Sequence, residues 1–209
     1  MAALTFATML TAVRTRLGNP STDGFFSDSQ IGELVNESLQ YNNTLADWPW
    51  CKATTTFVTV AGTATYDPSL ATGWMKTRAL TIDNFDSMQQ LSLQEIREKP
   101  TAEQGTPCYW AIENELIHLR PVPNAVHTVI HDYFKIEPEL SGTTEPLMPA
   151  SFRFVIVEYA AYLAHMREGN MGMADRALAR HQKWYEAMAD HRRRTTAPKK
   201  IRTRPGSAY

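Results

Sequence analysis

The sequence is poor in the residues that announce chemistry. It has two cysteines, Cys51 and Cys108, which form neither a CxxC pair nor a disulfide framework. A scaffold stapled by disulfides is excluded, and the pair reads as two buried, small hydrophobes in a protein made in a reducing cytosol. No apolar run approaches the ~18 residues of a membrane-crossing helix. The opening "MAALTFATMLTAVRTRLGNP" is amphipathic, carries Arg14 and Arg16, and lacks the layout of a secretory signal. There is no GxSxG elbow and no GxxxxGK[ST] phosphate loop, so neither a serine nucleophile nor a nucleotide site has a signature. Internal repeats are absent as well.

What is present is an uneven charge. The net charge of −1 hides a C-terminal stretch, residues 191–209, with seven Lys and Arg and no acid. The remaining 14 bases stand against 22 acids, which leaves −8 on residues 1–190. An acidic body with a basic tail bears on partners rather than on fold.

The hydrophobic period is helical at both ends and alternating in the middle. Phe6, Leu10, Val13 and Leu17 predict a first helix over 6–17, capped by Thr5 and stopped by Gly18. A second opens at "SDSQIGELVNESLQYNNTLAD", where Ser27 and Gln30 have capping-box spacing and Ile31, Leu34, Val35 and Leu39 form one stripe. Pro49 ends it. "TTTFVTVAGTATYD" then alternates and predicts a hairpin turning near Ala61 and Gly62. "RALTIDNF" predicts a strand, and "SLQEIREK" a short helix with Ser92 and Glu95 as its capping box. "CYWAI" and "LIHLRPV" predict a second hairpin turning at Glu113-Asn114-Glu115, with Asn114 left-handed, and "HTVIHDYFKI" a further strand. After a long polar connection over 137–148, Pro149 stands near the start of a third long helix with Phe152, Ile156, Tyr159, Ala160 and Leu163 on one face. A fourth follows a short turn at Gly169-Asn170, its buried side marked by Ala174, Ala177, Leu178, His181, Trp184, Tyr185 and Met188. So short a turn implies an antiparallel pair.

The expected class is therefore α+β: mainly a helical bundle, with a β-sheet module inserted between the second and third long helices and an extended C-terminal arm. The expected segments are N-terminal helices of the bundle (1–50), a β-rich insert (51–136), a loop with the C-terminal helix pair (137–190), and a basic arm (191–209).

The candidates for chemistry weigh lightly. His127-x-x-x-His131 lies in a strand pattern, where four residues span roughly 13 Å, too far to share one ion easily. Even with His118 across the sheet, two ligands without a carboxylate make a poor site, so these read as sheet-surface histidines and no metal is expected. Cys108 has no evident base, and Glu113 and Glu115 read as solvated carboxylates flanking a turn. No catalytic residue, cofactor or enzymatic activity is expected. Trp48 and Trp50, around Pro49, read as a plug at a helix-to-strand junction rather than a base-stacking platform. The tail cannot build a core and is expected to be disordered in isolation. It reads as a solvated extension, as a phosphate-binding segment, or as an arm that orders in a protein groove. Ile201 and Tyr209 are apolar anchors that phosphate binding does not require, and they favour the groove.

The pattern resembles the head-to-tail adaptor (connector) proteins of tailed bacteriophages. The resemblance rests on "FSDSQIGELVNESLQYNN" leading to "DWPW", on "FVTVAGTATYD", on "GTPCYWAIENELIHLRPVP" with its trailing "YFKIEPEL", and on "LMPASFRFVIVEYAAYLAH". Its most specific element is the spacing of Pro107, Tyr109, Ile117, Leu119, Pro121 and Pro123, a strand ended by prolines. The resemblance implies a structural virion protein of the head-tail neck, assembled in the bacterial host cytoplasm, in a ring of about a dozen copies (a homododecamer) with heterologous contacts between neighbours. It further implies a portal-docking arm built from Arg192, Arg193, Arg194, Lys199, Lys200, Ile201, Arg202, Arg204 and Tyr209. Below the ring a tail nozzle or stopper protein would bind, viral DNA would pass through the lumen without sequence recognition, and no membrane would be involved. The alternative is a nucleic-acid-binding protein that uses the same basic tail.

Overall fold

The computed structural model describes residues 4–18, 24–68, 71–83, 86–100 and 103–196. In chain order these form α1 (Phe6–Arg16), α2 (Asp28–Thr44), a 3₁₀ turn (Pro49–Cys51), β1 (Lys52–Val58), β2 (Thr65–Tyr66), β3 (Trp74–Ile82), β4 (Asp86–Ser87), β5 (Gln89–Gln90) and α3 (Leu93–Glu98). There follow β6 (Gln104–Gly105), β7 (Tyr109–Glu113), β8 (Leu116–Arg120), β9 (Val122–Pro123), β10 (Thr128–Lys135), a 3₁₀ turn (Ala150–Phe152), α4 (Phe154–Arg167) and α5 (Met171–Thr196). The α+β class and the order helices, β-module, helices are those expected. The chain divides into two compact units, 1–35 with 149–209, and 36–148; the division falls within α2.

In the first unit the helix ends follow local capping chemistry. The Thr5 hydroxyl accepts from the Thr8 amide at the start of α1, and Ser27 and Gln30 exchange bonds at the start of α2. Between α4 and α5, Gly169 takes φ +75°, and the Asn170 side chain accepts from the Met173 amide. The burial of α4 differs from the expected single face. Val155, Ile156, Val157, Glu158, Ala160, Ala161, Ala164 and His165 are all buried, so this helix is enclosed nearly all round. On α5, Ala174, Ala177, His181 and Met188 are buried as expected, while Trp184 is 36% exposed and stacks on Phe154 at 5.7 Å.

The second unit is built on two four-stranded sheets, ordered β1-β10-β3-β4 and β2-β8-β7-β5, with a small third sheet of β6 and β9. Leu80, Ile82 and Val129 of one large sheet meet Trp110, Ile117 and Leu119 of the other in one core, with Met88 between them in sequence and Phe57, Tyr66 and Ile112 at its border. The hairpin of β7 and β8 turns through Asn114 (φ 49°) and Glu115 (φ 62°), both left-handed, as a two-residue loop whose twist matches its strands requires.

The first expected hairpin is not formed. β1 pairs with β10 and β2 with β8, so the turn at Ala61 and Gly62 passes the chain from one sheet to the other. Backbone bonds on either side of the turn enforce this. Thr59 N–H donates to the His127 carbonyl (2.9 Å) and continues the β1–β10 ladder, while Leu119 N–H donates to the Ala64 carbonyl (2.8 Å) and begins the β2–β8 ladder. Alternation shows that a strand exists and leaves its partner open.

The junction at "WPWCK" lies wholly in this unit. Trp48 has no exposed surface; its indole N–H donates to the Asn42 carbonyl (2.8 Å), and its ring stacks on Trp50 at 5.0 Å and 7°. The polar connection after β10 is pinned at two points. The Asn36 side chain exchanges a pair of bonds with the Leu140 backbone, and buried Glu137 accepts from the Leu147 amide (2.6 Å) and the Asn43 side chain (3.4 Å).

Candidate functional site

The cationic C-terminal segment is the site read from the sequence. The structure carries α5 through Thr196, so Arg192, Arg193 and Arg194 lie on its last turns rather than on an extended arm. Arg193 pairs with Asp190 one turn back. The His191 ring packs at 5.2 Å on Phe152, which fastens this helix end to the turn before α4. Cations at a helix C-terminus are favoured by the helix dipole, which explains why the helix persists into the basic run. Arg193 and Arg194 are exposed. Lys199, Lys200, Ile201, Arg202, Arg204 and Tyr209 lie outside the described residues.

The histidines in the β-module are separate and each is occupied locally. His127 Nδ1 lies 2.7 Å from Asp83 Oδ2, and Asp83 Oδ1 also accepts from the Thr128 amide, so the carboxylate clasps the turn after β3 to the start of β10. The hydrogen bond from His127, then that from Thr128, hold the Asp83 carboxyl below the usual carboxylate range. His118 stands in the other sheet, 3.9 Å from Glu113. His131 is not the surface histidine the sequence suggests. It is 1% exposed, its Nε2 is 2.9 Å from Thr77 Oγ1, and it packs against Tyr133. Among the described residues no three His, Cys, Asp or Glu side chains are grouped so as to hold a metal.

Burial pushes the His131 pKa below the ordinary value near 6.5, with Asp132 opposing. The folded state therefore favours the neutral ring. Its contribution to stability is full above the unfolded value and is lost as pH falls through the folded one. His118 and His181 shift in the same direction, each mainly by burial. The urea midpoint is expected to be lower at about pH 5.5 than at about pH 7.5, and the difference to shrink in His131→Gln. An equal difference in that variant would place the acid sensitivity elsewhere.

Two further assignments change. Cys51 is buried, and loss of solvent, with Glu137 adding to it, pushes its thiol up to about 12, whereas Cys108 is exposed. Glu113 is not simply solvated, because it forms an ion pair with Arg97 of α3. Nothing in the sequence spacing points to a buried ion-pair cluster of the helical unit. Glu158 of α4, 1% exposed, accepts from Arg16 Nε of α1 (2.8 Å) and from Arg180 Nε of α5 (2.7 Å). Its only sequence signal is a lone acid in a mostly apolar helix, "FVIVEYAAYLAHMR".

No described helix is long and apolar enough to cross a membrane. The described residues thus present a fastened, cation-tipped helix, a two-sheet module and ion pairs that join elements. Comparison with curated proteins gives no match. The model of one family, described as SU10 adaptor protein, matches residues 4–205. That span takes in both compact units and every described helix and strand, and the chain belongs to the SU10 adaptor protein family.

Proposed function

We propose that the chain is one subunit of an oligomeric ring in the virion neck, assembled in the host cytoplasm, that joins the portal to the tail. The family is one of bacteriophage structural adaptors, and an adaptor of that kind is not an enzyme. In this reading the cationic C-terminus docks on the portal, neighbouring copies close a homododecamer, a nozzle or stopper protein binds below, and DNA passes through the lumen. The observation that carries it is the family match over the acidic body together with the cationic helix end. An acidic body limits adhesion of like-charged DNA to a channel wall. Arginines at a helix end supply bidentate pairing with acidic groups on a partner.

Truncation after Thr196 combined with Arg192→Ala, Arg193→Ala and Arg194→Ala tests this directly. The contact between His191 and Phe152 stays, so the far-UV spectrum and unfolding midpoint are expected to match the full chain, while co-sedimentation with portal rings is expected to be lost. Normal portal docking by the truncated chain overturns the arm's role. Binding of the full chain to free DNA that falls steeply with salt, without portal docking, would instead establish the nucleic-acid alternative.

A further inference from the structure

The β-module holds a cationic pocket that the C-terminal reading does not use. A cavity of about 370 Å³ is lined by Lys99, Glu103, Cys108, Tyr109 and Arg120, where the end of α3 meets β7 and β8. The Lys99 ammonium lies 4.6 Å from the centre of the Tyr109 ring, so this charge is held at the pocket by a cation–π contact. Arg120 donates through Nη1 to the Leu119 carbonyl, but its Nε–H is buried and meets no acceptor among the described residues. A carboxylate entering the pocket would pair with the part of the Arg120 guanidinium that lines it. The pocket lining carries two cations, Lys99 and Arg120, against one acid, Glu103.

We propose that this pocket takes a carboxylate side chain from a neighbouring copy of the chain, and that this is one of the contacts between subunits. The inference rests on the ring reading above. Residues 1–190 carry −8, so carboxylates are what a neighbour's body has to offer a basic pocket. Ring contacts press unlike faces together, a pocket on one copy against an acid on the next. Glu103 in the lining limits the charge of the guest, since a run of phosphates would face its carboxylate as well as the cations Lys99 and Arg120.

A zero-length carbodiimide cross-link, which joins a lysine amine to a carboxylate in contact with it, tests the contact. The full chain is mixed from two isotopic labels, assembled with portal, cross-linked and read by mass spectrometry. The expected product joins the Lys99 peptide to an Asp or Glu peptide carrying the other label. Lys99→Arg is expected to keep the ring and lose the link, and Lys99→Glu to raise the concentration needed for assembly about tenfold or more. A link confined to one label, a link to a portal peptide, or a formed ring without a link at Lys99 overturns the proposal and leaves the ring reading intact. If the wild-type chain forms no ring, the ring reading falls and takes this contact with it.

Discussion

Replacing Trp48 with alanine is expected to lower the stability of the β-containing unit by about 4 kcal/mol, the range for removing a fully buried aromatic ring. Two effects add. The indole has no exposed surface and stacks nearly parallel on Trp50, so its loss leaves a cavity and a ring without its neighbour. Its N–H also donates to the Asn42 carbonyl near the end of α2, a bond that the alanine variant loses. For a chain of this size the unfolding midpoint should fall by about 10 °C. Trp48→Phe keeps most of the packing and loses the hydrogen bond, and should cost about 1–2 kcal/mol. A loss below about 1 kcal/mol for the alanine variant would show that the junction repacks and that the tryptophan pair is not a plug.

Local signals were legible and partnerships were not. Thr5, Ser27 and Ser92 cap the helices that their spacing announces, because capping joins residues within one turn. Asn114 turns the hairpin it marks for the same reason. The strand alternation at 54–67 was equally clear, yet the pairing with β10 depends on residues some seventy positions away, which a period of two does not encode. The basic run at 192–194 was legible as charge, but its continuation of α5 was not, because a basic, apolar-poor segment carries no helical period, while the dipole and the His191 contact with Phe152 act only once α5 is formed. The exposure of Cys108 was not legible, because it stands just before β7, where alternation does not fix the side on which a short residue lies. The Lys99 and Arg120 pocket gathers the end of α3 and the ends of two strands, and becomes a feature only when the sheet is formed.

The helical unit carries the second large expectation, and it concerns a charge that no spacing reveals. Glu158 is enclosed in α4, whereas Arg16 and Arg180, which bind it from α1 and α5, keep 38% and 40% of their side-chain surface. The cluster is therefore asymmetric, because either arginine can recover solvent when released and the carboxylate cannot. Removing one arginine leaves Glu158 paired with the other, and Arg16→Ala or Arg180→Ala should each cost about 1–2 kcal/mol. Removing both strands a buried carboxylate, and the double variant should lose about 3–5 kcal/mol beyond the sum of small surface effects, a clear departure from additivity. Glu158→Gln, which keeps the shape and removes the charge, should cost about 2 kcal/mol, since the freed arginines face water. The decisive variant combines the two arginine losses with Glu158→Leu. If the cost of the double variant is the burial of an unpaired charge, replacing that charge with an apolar side chain of similar size restores most of the lost stability. If it reflects lost arginine packing on α1 and α5, the triple variant stays as unstable as the double. Urea midpoints for the five variants separate these cases, and with Glu158 as the common acceptor the three helices are held by one group whose identity matters more than either of its partners.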